Sequence, residues 1–277
     1  MDSLLNVALI AARAAARNLA HGVDRLDRLT VLDDSADNFA TSMDRDAERT
    51  LIYQIRKFHP EHCIQSRLSG DCGGGDGRIT WLLEPLAGNR NYLAGLPFFG
   101  VALACRVKNT LSHAALVFPQ TNEEFSASRG QGAQLNSHRI RTGGDSRPDG
   151  RMIALHAHFR QSQTLQGMQQ ALHSRQALIR QSGCAEFDIV QVAANRLQGG
   201  WLGGRASIGA QAAGLVLREA GGMLAGEAGQ PDWSSADETL FGNPRLLREL
   251  LRLRANLGPK SNGGVAAESK GICDSNQ

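Results

Sequence analysis

The pattern of apolar and polar residues in the first part of the chain predicts two amphipathic helices. Over residues 3–20 apolar side chains recur at helical spacing behind Ser3, a good N-cap residue. The second helix is predicted from Asp44 to Phe58, and Pro60 ends it because proline cannot continue a helix. Its inward-facing residues are expected to be Leu51, Ile55 and Phe58.

The stretch from Ile79 to Pro97 carries the most information. Its apolar run Ile79–Leu83 predicts a short buried strand, expected to end at Glu84-Pro85 because proline cannot donate to a strand ladder. A tight turn through Gly88 then leads into a short helix. When a strand and a tight turn lead into the N-terminus of a helix, backbone N–H groups point at one spot. Such a spot suits an anion such as phosphate.

Beyond this stretch the pattern predicts strands first, then alternating strands and helices. Strands are expected over residues 98–107, 110–117 and 152–155, with a hairpin around 129–133. Helices are expected over residues 164–175, 184–195, 215–221 and 243–257. The alternation in the second half favours an α/β layer.

Residues 147–150 are the expected boundary between two subdomains. Residues 1–148 are predicted to form an N-terminal α+β subdomain, and residues 149–257 a C-terminal α/β subdomain. Residues 258–277 are rich in Gly, Ser and Lys with few large apolar groups, so a disordered tail is expected there.

Composition excludes several classes of protein. The chain has 277 residues, 42% of them hydrophobic, and a net charge of +3, which is too small by itself to indicate a nucleic-acid binder. Its five cysteines are odd in number and form no Cys-x-x-Cys pair, so reduced thiols are expected rather than zinc sites or a disulfide framework. No window approaches the roughly 20 apolar residues of a membrane span. We therefore expect a cytoplasmic protein without membrane contact.

The segment Trp81–Asn91 resembles the signature Trp-x-x-Asp-Pro-Leu-Asp-Gly-Thr-x-Asn of the inositol monophosphatase family. The resemblance extends from Leu5 to Leu257 and is closest to the bacterial SuhB branch. Arg129–Ala133 and Ser207–Gly221 match further motifs of the family. The resemblance implies a layered α/β/α/β/α sandwich.

The resemblance also implies where a metal-dependent site would lie. Enzymes of the family hydrolyse phosphate monoesters with Mg²⁺, which takes oxygen ligands. The positions matching the metal ligands are Arg67, Glu84, Ala87, Ala210 and the carbonyl of Leu86. The summed side-chain charge of the four side-chain positions is therefore zero instead of −4, and we expect no intact metal site and no cofactor.

The remaining site positions are also carried over from the resemblance. Asp44 and Asn89 match catalytic positions, with Asn89 standing where the family has Thr, so no catalytic set is expected to be intact. The candidates for binding phosphate or substrate are Gly88, Asn89, Arg67 and Gly203. Since Arg67 and Glu84 match positions that converge on one ion, they are predicted to form a salt bridge, with Asp44 as a second acceptor.

Two functions remain open. The first is a catalytically degenerate SuhB-like protein that acts by binding, since the SuhB branch is associated with transcription antitermination and ribosomal RNA synthesis. Its expected partners are a second copy of the chain, transcription or ribosome-assembly proteins, and a phosphorylated small molecule. The alternative is a Mg²⁺-dependent inositol-1-phosphate phosphatase.

Two further groups of residues have open interpretations. His113, His156 and His158 are interpreted as surface or hydrogen-bonded residues, with a pocket role as the alternative for His156 and His158. The exposed stripe of Arg245, Arg248 and Arg252 on the last helix is either a solvated face or a docking surface for an acidic partner.

Overall fold

The computed structural model describes residues 3–35, 38–75, 77–157 and 162–258. The helices are α1 Ser3–Gly22, α2 Ser42–Phe58, α3 Asn89–Leu93, α4 Ser162–His173, α5 Ala185–Ala193, α6 Ile208–Glu219 and α7 Pro244–Ala255, with a 3₁₀ helix at Val23–Arg28. Most of the helices predicted from the sequence are present within a few residues of their expected ends.

The described strands form two large sheets and one small antiparallel pair, β1 Val31–Asp33 with β2 Ala40–Thr41. The first large sheet has the order β10-β9-β8-β7-β6-β5-β3-β4. Its strands are β3 Cys63–Ser66, β4 Gly70–Asp71, β5 Ile79–Ala87, β6 Gly100–Val107, β7 Thr110–Phe118, β8 Glu123–Ser128, β9 Gly132–Leu135 and β10 His138–Ile140. Neighbouring strands are antiparallel except β3 and β5, which are parallel.

The second sheet has the order β12-β11-β13-β15-β14. Its strands are β11 Met152–Ala157, β12 Leu178–Arg180, β13 Gly199–Gly203, β14 Met223–Gly226 and β15 Glu238–Gly242. Strands β12, β11 and β13 are parallel, whereas β15 is antiparallel to both of its neighbours. The two large sheets thus come from successive parts of the chain, and the boundary at residues 148 and 149 stays a prediction.

The helices cover the sheets in layers because side chains alternate between the two faces of each strand. On β5, Trp81 and Leu83 pack with α1 and α2, whereas Leu82 packs with α5 and α6. On the far face of the second sheet, α4 and α7 pack against residues such as Trp201. The order of layers is helix, sheet, helix, sheet, helix, which confirms the α/β/α/β/α sandwich.

A buried ion pair fixes α7 to the second sheet. Arg254 donates from Nε and NH2 to the two carboxylate oxygens of Glu238, at 2.5 and 2.8 Å, and Trp201 Nε1 donates to the same carboxylate at 2.9 Å. Arg254 is 6% exposed and Glu238 fully buried. The bidentate pair therefore belongs to the core, unlike the three arginines on the outer face of the same helix.

Two predictions about individual elements are wrong. Strand β5 does not end at Glu84-Pro85 but continues to Ala87. Its register with β6 shifts between Glu84 and Ala87, and Pro85 falls in this irregular part, where the missing N–H costs no ladder bond. Phe58 does not point inward, because it is the last residue of α2 and its ring lies 45% exposed beside Lys57.

The structure bears on three further expectations, which concern the cysteines, a membrane span and the C-terminal tail. Cys63, Cys72, Cys105 and Cys184 are free thiols, and Cys273 lies outside the described residues. In the described part of the chain, no helix combines the length and apolar character that crossing a membrane requires. The tail predicted over residues 258–277 lies outside the described residues except for Gly258.

Candidate functional site

A cavity of about 700 Å³ lies where the end of β5, the strands β11 and β13, and the first turns of α5 and α6 meet. It brings together eight of the residues that the resemblance singled out: Arg67, Glu84, Leu86, Ala87, Gly88, Asn89, Gly203 and Ala210. The ninth, Asp44, lies behind Arg67 and contacts it. The positions therefore share one place in the fold, and their roles stay a prediction.

The turn after β5 requires glycine. Gly88 has φ +71°, in the left-handed region, and serves as the N-cap residue of α3. A Cβ atom there would also lie only 3.2 Å from Cys184 Cβ at the start of α5. The absence of a side chain lets the end of β5 approach α5 closely, which closes one side of the cavity.

Arg67 makes two ion pairs on the floor of the cavity. Its Nε donates to Glu84 Oε1 at 2.5 Å, and its NH2 donates to Asp44 Oδ1 at 2.5 Å. Asp44 is fully buried, the Glu84 side chain is 3% exposed, and that of Arg67 is 22% exposed. The salt bridge predicted from the sequence is confirmed, including Asp44 as the second acceptor.

Asn89, the other residue at a predicted catalytic position, forms a hydrogen bond with the main chain. The Asn89 side-chain nitrogen donates to the main-chain carbonyl of Phe39, with a longer contact of 3.5 Å to Asp44 Oδ1. Asp44 is itself held by Thr41, whose backbone N–H and hydroxyl both donate to Asp44 Oδ2 at 2.8 Å. Asn89 and Thr41 thus fix the loop before α2 and the orientation of the Asp44 carboxylate.

One residue of the site was missed by the sequence analysis. Glu186, in the first turn of α5, lines the cavity and is 6% exposed. It accepts a hydrogen bond from Ser207 Oγ at 2.5 Å. A Cβ atom on Gly209 would lie 2.7 Å from Glu186 Oε1 and 2.8 Å from Glu84 Cγ, so the two glutamates converge on this glycine. Acidic residues are common in the first turn of a helix, so the sequence alone gave no signal.

The floor of the cavity keeps an excess of acidic groups. The side chains at the four positions that match metal ligands have a summed charge of zero. This sum does not describe the charge of the cavity floor, because Asp44 and Glu186 add two carboxylates beside the single guanidinium of Arg67. Burial raises the pKa of Glu84 to about 8; Arg67 opposes this change, while Glu186 and Asp44 add to it. Burial also raises the pKa of Asp188 to about 7, with a further contribution from Glu186.

The thiol at the start of α5 is not poised as a nucleophile. Cys184 is buried, and burial together with the nearby Glu186 carboxylate raises the pKa of its thiol well above the usual value. The thiolate is the reactive form of cysteine, so this residue stays protonated at neutral pH. Its Sγ instead lies 3.6 Å from Glu186 Oε2 as a weak donor.

The residues present do not fit a magnesium ion. A guanidinium group lies between the carboxylates of Asp44 and Glu84, and Ala87 and Ala210 offer no side-chain oxygen. Mg²⁺ requires near-octahedral oxygen ligands, and a bound cation would be repelled by Arg67. The donor set of the cavity is therefore that of an ion-paired protein site rather than a metal site.

Among the described residues, one group of three possible metal donors lies close enough together to share an ion, and it is outside the cavity: His59, Glu61 and His62. His62 Nδ1 accepts a hydrogen bond from Trp81 Nε1 at 3.1 Å, so its proton is on Nε2, which lies 3.2 Å from Glu61 Oε1. Both ring nitrogens of His62 are thus engaged, and the His59 and His62 rings stack in parallel at 4.2 Å.

Basic side chains stand at the rim of the cavity. Arg90 lies over the ring of Phe39, with its guanidinium carbon 4.1 Å from the ring centroid, and Arg205 is exposed to solvent. His156 lines the cavity wall, and His158 lies outside the described residues. His113 is confirmed as a buried, hydrogen-bonded residue, 2.9 Å from Ser128 Oγ.

Comparison with known proteins defines the class to which this fold and site belong. The profile of the inositol monophosphatase family matches residues 1–258, so the chain belongs to that family. It is 34% identical over 258 residues to the Nus factor SuhB of Pseudomonas aeruginosa, covering 91% of this chain and 95% of the relative. Identity to the Nus factor SuhB of Escherichia coli K12 is also 34%, over 254 residues, with the same coverage.

Solved structures give the same result for the fold. The extragenic suppressor protein SuhB of Bartonella henselae superposes with a TM-score of 0.88 at 27% identity, covering 91% of this chain and 98% of that one. The inositol monophosphatase of Anabaena has a TM-score of 0.80 at 24% identity, covering 93% and 97% of the two chains. The chain is thus a SuhB-like member of the inositol monophosphatase family.

Proposed function

We propose that this chain is a catalytically degenerate member of the inositol monophosphatase family that acts by binding rather than by hydrolysis. The observation that carries the proposal is Arg67, whose guanidinium is bonded to both Asp44 and Glu84. In the family, as the resemblance implies, the position of Glu84 holds metal ions and the position of Asp44 is catalytic. In this chain the carboxylates of Asp44 and Glu84 are paired with the guanidinium of Arg67. Ala87 and Ala210 have no side-chain oxygen at two further positions that match metal ligands, which also weakens metal binding.

The binding function that we propose is a role in transcription antitermination and ribosomal RNA synthesis in the cytoplasm. Its support is similarity over nearly the whole chain to relatives that carry the name Nus factor SuhB. The expected partners are transcription or ribosome-assembly proteins, and the protein is expected to form a homodimer. No catalytic group is required for such a role, since binding uses the surface of a stable fold.

The second candidate is the Mg²⁺-dependent inositol-1-phosphate phosphatase. Its support is the preserved cavity, of a size that fits small-molecule sites, with Arg90 and Arg205 at the rim. These arginines could hold the phosphate of a small molecule by charge-assisted hydrogen bonds. Binding of a phosphorylated ligand without turnover is compatible with the first candidate as well, so turnover separates the two.

The deciding experiment for catalysis is release of phosphate from inositol 1-phosphate. It is measured with Mg²⁺, with a chelator, and beside the inositol monophosphatase of Anabaena as a positive control. We expect the chain to show no metal-dependent turnover under conditions in which the control is active. Turnover that a chelator abolishes would establish the second candidate and refute degeneracy.

The role in transcription needs a separate assay. A Pseudomonas aeruginosa strain depleted of its own Nus factor SuhB is supplied with this chain, and read-through of a terminator placed behind a ribosomal RNA leader is measured. We expect read-through to be restored, equally by the wild type and by an Arg67→Met variant with normal folding. Failure of a well-expressed, folded wild type to restore it would contradict the transcription role without bearing on the phosphatase assay.

A further inference from the structure

A second cavity, on the other side of α2 from the main site, is lined by unpaired arginines. It has a volume of about 560 Å³ and lies between the end of α1, the 3₁₀ helix Val23–Arg28 and the start of α2. Three arginines line it: Arg17 on α1, and Arg25 and Arg28 on the 3₁₀ helix. All three are exposed, and no carboxylate among the described residues forms an ion pair with any of them.

Two of these arginines lie on one short segment whose backbone is not a regular helix. Arg25 has φ −138° and ψ 37°, which kinks Val23–Arg28, so helical periodicity does not place the side chains here. Val23, Leu26 and Leu29 pack against the core of α1 and α2. Arg25 and Arg28 both line the cavity. The apolar contacts therefore hold the segment that carries the two arginines against α1 and α2.

The acidic groups nearby do not neutralise this cavity. Asp24 and Asp27 lie on the same segment as Arg25 and Arg28 and are not among the lining residues. Asp46 on α2 is the acidic residue of the lining, and it lies 3.9 Å from Arg49. With three guanidinium groups against one carboxylate, the lining carries a net positive charge.

We propose that this cavity binds a small polyanion that carries two or more phosphate groups. Guanidinium groups bind phosphate oxygens in pairs of parallel hydrogen bonds, and three of them on two separate elements suit charge that is spread over more than one group. The volume lies within the range of small-molecule sites. No Phe, Tyr or Trp lines the cavity, so it offers no ring on which a base could stack.

The main cavity cannot serve this ligand as well. Its floor holds the carboxylates of Glu84, Glu186 and Asp44 around one guanidinium, and its two rim arginines are on separate elements, Arg90 on α3 and Arg205 between β13 and α6. Multiple phosphates entering that cavity would meet the acidic floor. The basic cavity has no comparable cluster of buried carboxylates in its lining. The two cavities therefore select ligands of different charge distribution.

The test is isothermal titration calorimetry of the full chain with tripolyphosphate, in the presence of a chelator. The wild type is expected to bind one equivalent with an affinity that falls as ionic strength rises. The double variant R25Q/R28Q is expected to bind roughly tenfold more weakly or worse, since two charge-assisted contacts are lost. Arg17→Gln, on the other element, is expected to weaken binding in the same direction.

Two matched double variants separate this site from a general charge effect. R245Q/R248Q on α7 and R139Q/R141Q at the exposed end of β10 remove the same charge, and both are expected to bind as the wild type does. Absence of binding, or equal weakening in all three double variants, would overturn the proposal. So would unchanged binding by both R25Q/R28Q and Arg17→Gln. A short single-stranded RNA that binds far more tightly than tripolyphosphate through Arg25 and Arg28 would also overturn it, in favour of a nucleic-acid surface.

Discussion

Arg67 Nε lies 2.5 Å from Glu84 Oε1, and the same guanidinium reaches Asp44 Oδ1 with its NH2. Asp44 lies at the start of α2, Arg67 is the first residue after β3, and Glu84 lies in the second half of β5. Both carboxylates are almost completely buried, so neither has water to replace the guanidinium. Burial acts to lower the pKa of Arg67, and the two carboxylates act to raise it, with a net increase. A protein cation thus stabilises the acidic floor of the cavity.

Reversing this charge should therefore destabilise the fold. In Arg67→Glu, the new carboxylate faces Glu84 and Asp44 with no cation between them. Breaking a buried ion pair costs about 3–5 kcal/mol of the free energy of unfolding, and like-charge repulsion adds to it. Urea unfolding at neutral pH measures the difference. Arg90→Glu makes the same change of charge at the exposed rim and should alter stability by less than about 0.5 kcal/mol. Equal effects of the two variants would show that the pair contributes nothing specific.

Stability should fall as pH rises from about 5 to 8. Burial raises the pKa of Asp188 to about 7 and also raises that of Glu84, although the ion pair with Arg67 opposes the second increase, so the folded state binds more protons than the unfolded state over this range. Glu186 raises both values, and its removal should reduce the loss. Glu186→Gln keeps the acceptor for Ser207 but not the charge, so it should stabilise the protein by on the order of 1 kcal/mol at pH 8 and by little near pH 5.

The measurement is the free energy of unfolding in urea at several pH values for wild type and Glu186→Gln. Asp149→Asn serves as the control, since it removes an exposed carboxylate and should leave the slope with pH unchanged. If Glu186→Gln and wild type gave parallel curves, Glu186 would not act on Glu84 or Asp188.

The fold and part of the site could be predicted because the sequence marks them locally. The segment Trp81–Asn91 lies in continuous chain, and its spacing alone identified β5, the turn at Gly88 and α3. The pair of Arg67 and Glu84 could also be predicted, because the family resemblance implies that their positions converge on one ion and opposite charges at that distance pair directly.

Other features depend on packing between distant segments and left no local signal. Glu186 meets Glu84 across about a hundred residues of chain, because Gly209 leaves space between α5, α6 and β5. The basic cavity forms only when α1 and the 3₁₀ helix fold back on α2. The continuation of β5 past Pro85 depends on a register shift against β6, which no pattern within β5 reveals.

The outer face of α7 offers a test of partner binding. Arg245, Arg248 and Arg252 are exposed there, and a shallow groove of about 230 Å³ lies along them. If an acidic partner docks on this face, R245E/R248E should weaken its capture from extract, more strongly at low than at high salt. R45E/R49E makes the same change on the exposed side of α2 and should leave the partners unchanged. An identical partner set for R245E/R248E and wild type would identify the stripe as a solvated face.

The proposal that the metal site is lost can be tested by building the four carboxylates into the chain. The variant R67E/E84D/A87D/A210D returns a carboxylate to each of the four positions matched to side-chain ligands. Without metal these groups repel one another, so the variant should be less stable than the wild type. Mg²⁺ should raise its unfolding temperature, because a ligand that binds only the folded state stabilises it by about 2.7 kcal/mol at a hundredfold excess over the dissociation constant. The wild type should show no such shift, since Arg67 takes the place of the cation.

Thermal unfolding monitored by circular dichroism, with Mg²⁺ and with a chelator, measures the unfolding temperature of both proteins. A Mg²⁺-dependent increase of the same size in the wild type would mean that the remaining oxygens still hold the ion, and that Arg67 moves aside to admit it.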